Sequence, residues 1–131
     1  MEAHDPLPPS VEILVSQVVD SAFKIHTQLG PGLLESIYEL CLAHELRRRG
    51  IEVDCQVPVD IVYEGCRFDG GLRLDMLVQN EVIVEVKASE RQLPVHRAQL
   101  LTYLKLAGKR IGLLINFNVA LIKDGITRIR R

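Results

Sequence analysis

Gly71-Leu72-Arg73-Leu74-Asp75-Met76-Leu77-Val78-Gln79-Asn80-Glu81-Val82-Ile83-Val84-Glu85-Val86-Lys87 is the stretch that decides the architecture. The runs Leu72 to Val78 and Val82 to Ala88, separated by Gln79-Asn80-Glu81, read as an antiparallel hairpin. Alternate side chains of a strand share a face, so Glu85 and Lys87 point one way while Val82, Val84 and Val86 point the other. Loop length decides where Asp75 stands. A three-residue loop pairs Val78 with Val82 and Asp75 with Glu85, whereas a two-residue loop sets Asp75 opposite Val86 and separates the carboxylates. Asn80 tolerates the left-handed conformation that a three-residue loop uses, so the carboxylates are expected on one face. Side by side they repel by roughly 0.2–1 kcal/mol even when exposed, and a cation between them is a reason to keep both. Mg²⁺ commonly takes one or two carboxylates and keeps several waters.

Upstream of this hairpin the period is helical. From Ser10, an expected N-cap, apolar residues fall at Val11, Leu14, Val15, Val18, Ala22, Ile25 and Leu29, and Gly30-Pro31-Gly32 ends the helix. A second helix is expected from Leu33 to Arg49, burying Leu34, Ile37, Cys41 and Leu42, with Arg47-Arg48-Arg49 favourable at its negative end and Gly50 as its stop. After Gly50 the period becomes 2, from Ile51 to Ile61, with Pro58 marking an edge strand or a bulge. Downstream, Pro94 opens a third helix that runs to Ala107, with Gly108 beyond its end. Strands are expected at Arg110 to Phe117, Val119 to Lys123 and Ile126 to Ile129. The apolar Ile111 to Ile115 run suits a central strand covered on both faces. The pattern is α+β (mixed α/β), helices packed on a sheet.

Composition bounds the rest. The 131 residues, 47% hydrophobic and 25% charged, leave room for one domain of residues 11–131 behind a short extension of residues 1–10. Sixteen Lys and Arg against 17 Asp and Glu give no global basic field, so any contact with nucleic acid is local. Three cysteines without a C-x-x-C pair, and an acidic, Pro-rich beginning, suit a reducing cytoplasm rather than export. No apolar run reaches the roughly 20 residues that cross a bilayer. His4, His26, His44 and His96 lack zinc-ligand spacing.

Asp75-x9-Glu85-x-Lys87 resembles the D...(D/E)-x-K hairpin of the PD-(D/E)XK nuclease superfamily. Gln99 and Tyr103, in Gln99-Leu100-Leu101-Thr102-Tyr103, resemble the Q-x-x-x-Y helix of RecB-like nucleases, whose spacing puts both groups on one helix face. Gly32-Leu33-Leu34-Glu35-Ser36-Ile37-Tyr38 is similar to the signature of the bacterial GxxExxY protein family, and that resemblance extends from about residue 11 to the C-terminus. It implies an αβββαβ core and a metal-dependent nuclease site that uses Mg²⁺ or Mn²⁺. Asp75 and Glu85 would hold the metal, with the Val86 carbonyl a further ligand, and Lys87 would orient or help deprotonate the attacking water. Glu35 resembles the first-helix glutamate that reaches the metal, often through water. Gln99 and Tyr103 would hold the site or a phosphate oxygen. The superfamily's proline before the aspartate is Leu74 here, a departure that touches no ligand.

Each assignment has a plainer counterpart. An E-x-K on a strand also forms solvated ion pairs, Tyr38 reads equally as a packed helix aromatic or a substrate contact, and His26 and Arg73 stand behind the others as candidates. The basic ends at Arg47 to Arg49 and Arg128 to Arg131 serve helix dipole and solvation as readily as phosphates. A second class of function stays open: a nuclease-fold interaction module within a larger complex. With so small a core, a homodimer or a protein partner would supply substrate recognition.

Overall fold

The computed structural model describes residues 4–91 and 93–131. Residues 1–3 of the expected extension lie outside the described residues. The remainder of the extension is not wholly separate, because Leu7 is buried in the core.

Helix α1 spans Pro9–Leu29 and helix α2 spans Glu35–Arg48. Strands β1 (Val53–Tyr63), β2 (Cys66–Val78) and β3 (Val82–Lys87) follow, then helix α3 (Pro94–Ala107), strand β4 (Ile111–Asn116), a 3₁₀ turn (Ile122–Gly125) and strand β5 (Ile126–Arg130). The sheet runs β1-β2-β3-β4-β5, antiparallel except where α3 carries the chain from β3 to the parallel β4. This is the expected mixed α/β core.

Two apolar layers sandwich the sheet. On one face Val18, Ala22, Leu42 and Leu46 of the first two helices meet Met76, Val78, Val82, Val84, Val86, Leu113 and Ile115. On the other, Leu100 and Leu104 of α3 cover Leu74, Leu77, Ile83, Leu114 and Ile129. Gly112 permits that close approach, since a Cβ there would meet the Leu100 side chain at 3.0–3.1 Å.

Several local expectations need correction. α1 begins two residues early, with Pro8 at the N-cap and Pro9 fixing φ at the first helical position, so Ser10 lies inside the helix. α2 starts at Glu35; Leu42 is buried and Cys41 packs half-buried against the core as expected, but Tyr38, Ala43, Glu45 and Leu46 complete the inward stripe, while Leu34 is 73% and Ile37 40% exposed. The inward Tyr38 ring stacks on Phe117 with centroids 4.4 Å apart, and the buried Glu45 carboxylate meets Lys24 of α1 and Arg48 and Arg49 of its own helix. Those contacts fix the rotation. β1 is an edge strand, and its irregularity falls between Val59 and Ile61 rather than at Pro58. β4 is fully buried but second from the opposite edge, so β3 is the central strand.

The expected strand over Val119 to Lys123 is absent. The Val119 carbonyl faces the His26 Nε2 at 2.8 Å, and the chain turns through the 3₁₀ segment into β5. Gly125 closes that turn onto β4, where a Cβ would fall 2.0 Å from the Asn116 carbonyl oxygen.

Candidate active site

The β2–β3 loop is Gln79-Asn80-Glu81, closed by Glu81 N–H donating to the Val78 carbonyl at 2.9 Å. Gln79 and Asn80 both take left-handed φ, 50° and 56°. Val78 pairs with Val82, Leu77 with Ile83 and Met76 with Val84, and there the backbone pairing stops. One residue further, side chains replace the ladder. The Asp75 N–H donates to Glu85 Oε2 at 2.8 Å, and the Val86 N–H donates to Asp75 Oδ2 at 2.9 Å. The two carboxylates thus bridge the point where β2 peels away from β3.

The partner strand changes direction at the same level. Cys55 pairs with Met76 and Val57 with Leu74, and between them Gln56 takes φ 53°, a conformation costly for a residue with a Cβ. Cys55 and Met76 belong to the layer under α1 and α2, whereas Val57 and Leu74 pack against α3. The β1–β2 ribbon therefore rotates at Gln56 and Asp75, which opens the sheet beside the carboxylates. Through this opening Glu39 of α2 joins them: its Oε1 accepts from Gln56 Nε2 at 2.8 Å, and the Gln56 side chain also works to lower the Asp75 pKa.

Burial dominates the electrostatics. Glu85 is 3% exposed, and desolvation, followed by the charge of Asp75, pushes its pKa up to about 8. Asp75 is also raised by burial, against the lowering effects of the Val86 N–H and the Lys87 charge. Glu39 is raised by burial first, then by Asp75 and Glu35. Tyr103 is raised by burial first, then by the charges of Glu85 and Asp75. The site gathers carboxylates, and Lys87, half-buried two residues beyond Glu85, brings a positive charge to both Asp75 and Glu85.

The other candidates divide. Gln99 is half-buried one helical turn before Tyr103, on the same face of α3. Glu35 is exposed at the first position of α2 and reaches the site's charges through Glu39. Tyr38 is corrected: it is fully buried, its hydroxyl donates to the Gly30 carbonyl at 2.6 Å and accepts from the Leu33 N–H at 3.1 Å, and no surface remains for a substrate. Its work is to hold the Gly30–Leu33 turn. His26 is likewise spent on Val119. Arg73 is exposed on β2 opposite Pro58.

Two residues escaped the sequence reading. Glu39 lies one turn after Glu35, a spacing that was visible, but its approach depends on the opened sheet. Gln56 reads as an outward residue of an alternating strand, and nothing in its side chain signals a left-handed backbone.

The donor set fits a hard divalent cation. Asp75 and Glu85 each commit one oxygen to a backbone N–H and have a second oxygen, the chemistry that suits Mg²⁺ or Mn²⁺. Among the described residues no three His, Cys, Asp or Glu side chains form a metal cluster, so ligands beyond the pair would be backbone or water. No helix is long and apolar enough to cross a membrane among the described residues.

Comparison with known proteins bears on the fold and the family. The crystal structure of the protein SSO0001 matches with a TM-score of 0.51 at 22% identity, covering 92% of this chain, which spans 58% of the length of that one. That likeness bears on the fold. No curated protein matches the sequence. Residues 12–129 match the PD-(D/E)XK nuclease superfamily, nearly the whole chain from within α1 to within β5, and the chain belongs to that superfamily.

Proposed function

We propose that the chain is a divalent-metal-dependent nuclease of GxxExxY type that hydrolyses phosphodiester bonds at the Asp75–Glu85–Lys87 site. The observation that carries this reading is the reciprocal bridge between Asp75 and Glu85, which gathers two carboxylates on one face at a break in the sheet. Mg²⁺ or Mn²⁺ would be held by Asp75 and Glu85, with the Val86 carbonyl and, through water, an α2 carboxylate, Glu35 or Glu39, as further contacts. Such a cation lowers the pKa of water and polarises a phosphoryl oxygen.

The chain's own groups supply the rest. Lys87 brings a compact ammonium to the carboxylate face, where it orients the attacking water and offsets charge growing on the phosphate. Tyr103 on α3, whose hydroxyl feels the charges of Glu85 and Asp75, would hold a phosphate oxygen or the site itself, with Gln99 one helical turn before it. The buried surroundings of Glu85 exclude bulk water and strengthen these interactions.

The test pairs metal binding with turnover. Lys87→Ala is expected to leave Mn²⁺ affinity intact or raise it, because a neighbouring positive charge is removed, and to abolish cleavage. Asp75→Asn, which preserves the acceptor for the Val86 N–H, loses both. Calorimetric titration and a screen of single- and double-stranded DNA and RNA read the two properties separately. Cleavage undiminished in Lys87→Ala removes the assignment.

A further inference from the structure

Gln56 holds a backbone conformation that its side chain makes unfavourable. Among the described residues the non-glycine residues at positive φ are Gln56, Glu64, Gln79 and Asn80. Glu64, Gln79 and Asn80 lie in the turns that join strands, whereas Gln56 lies inside β1. The rotation of the ribbon demands a left-handed residue there, and glycine would meet that demand without strain. Packing does not explain the glutamine, because the residue is exposed. Strain of this kind at the edge of a site directs attention to what the side chain holds.

Register sets Gln56 opposite Asp75, between the Cys55–Met76 and Val57–Leu74 pairs. Its Nε2 donates to Glu39 Oε1 at 2.8 Å. An amide nitrogen carries a second hydrogen, and the same side chain works to lower the Asp75 pKa, as a donor does and a carbonyl oxygen would not. Glu39 is half-buried, it feels the charge of Asp75, and its own charge reaches Glu85. Carboxylates from α2, β2 and β3 thus converge, and Gln56 meets them from β1. A lysine or arginine at this position would neutralise them and compete with a divalent cation for their oxygens. A neutral amide donates to carboxylates and leaves their charge in place.

We propose that Gln56 is a positioning residue of this site, an uncharged clamp that holds Glu39 of α2 beside Asp75. The clamp rests on the nuclease reading for the metal it serves, and on the hydrogen bond and register for its geometry. It also distinguishes the two α2 candidates: Glu39 carries the tether, and Glu35 stands exposed at the first position of the helix. Hydrogen-bond partners that orient metal ligands in this way are typically worth about 10- to 100-fold in affinity.

Two substitutions separate side chain from backbone. Gln56→Gly removes the amide and relieves the left-handed strain, whereas Gln56→Met keeps length and strain and removes the donor. Mn²⁺ affinity is read by calorimetry on the full chain, and stability by urea unfolding in chelator. Both variants are expected to weaken Mn²⁺ binding roughly 10- to 100-fold, with the urea midpoint of Gln56→Gly at or above that of the wild type. Because the clamp acts through Glu39, adding Gln56→Gly to Glu39→Ala should change the affinity little further. In metal-free protein the Gln56 side-chain amide resonance, identified by its loss in Gln56→Gly, should move in both Glu39→Ala and Asp75→Asn. Wild-type affinity in either Gln56 variant overturns the proposal, as does a loss that adds in full to that of Glu39→Ala. So does an amide resonance indifferent to either carboxylate. Mn²⁺-dependent cleavage that ignores Gln56→Gly leaves the nuclease reading standing without the clamp. An amide resonance that follows both carboxylates in a protein that binds no Mn²⁺ leaves the clamp standing without the nuclease reading.

Discussion

Removing the negative charge of Glu85 should make the metal-free protein more stable above neutral pH. Its carboxyl is 3% exposed, and burial together with Asp75 raises its pKa from the ordinary 4.5 to about 8. Between those values the native state keeps a proton that the unfolded chain has released, so unfolding free energy falls as pH rises. The interval, at about 1.4 kcal/mol per pH unit, bounds the loss at about 5 kcal/mol. Relaxation of the surroundings around the ionised carboxylate reduces it, and about 2–4 kcal/mol is expected. Asp75, raised by burial as well, adds in the same direction. Glu85→Gln retains an acceptor for the Asp75 N–H and cannot ionise. Urea unfolding in chelator from about pH 5 to about pH 8 should show the two proteins alike at the acid end and the variant more stable at the other. Mn²⁺ should narrow the gap by stabilising only the wild type. A wild-type-minus-variant difference that is flat across this range refutes the reasoning.

Two further outcomes concern the scaffold. Tyr38→Phe strips the partner from the Gly30 carbonyl and the Leu33 N–H and should cost about 1–3 kcal/mol in chemical denaturation, with Mn²⁺ affinity unchanged by calorimetry. Glu45→Ala removes the carboxylate shared by Arg49, Lys24 and Arg48, whose side chains are 21%, 40% and 59% exposed, so about 1–2 kcal/mol is expected near neutral pH. The Arg49 hydrogen bond foremost holds the Glu45 pKa below 4.5, so this contribution is present above 4.5 and fades as pH falls through the depressed value, which thermal melts across that range would follow.

The hairpin was readable because strand alternation and loop parity are local rules, and Asp75, Glu85 and Lys87 needed nothing else. Pro94 and Gly108 likewise mark the ends of α3 by backbone chemistry alone, and the αL conformation of Gly108 is what its missing Cβ permits. The rotation of α2 was not readable. Leu34 and Ile37 are as apolar as the residues that are buried, and the choice rests on Phe117 and Lys24, which lie far along the chain. The segment after Asn116 misled for a similar reason: Val119 and Leu121 alternate like a strand, but a contact with His26 and the closing of Gly125 onto β4 turn the chain first. Gln56 is a case of a different kind, since its backbone conformation is imposed by the rotating ribbon.

The bridge at Asp75 and Glu85 ties chemistry to architecture in a way that bears on how relatives of this chain are to be judged. Each carboxylate satisfies a backbone N–H that the broken ladder would otherwise leave unpaired. A descendant that lost all turnover would still be selected to keep both acids, because the fold needs them at the break. Retention of the pair is therefore a record of shape as well as of chemistry. Lys87 replaces no ladder bond, its backbone pairing regularly with Asn116, so on the proposed nuclease reading its loss or survival is the better register of whether a lineage still cuts.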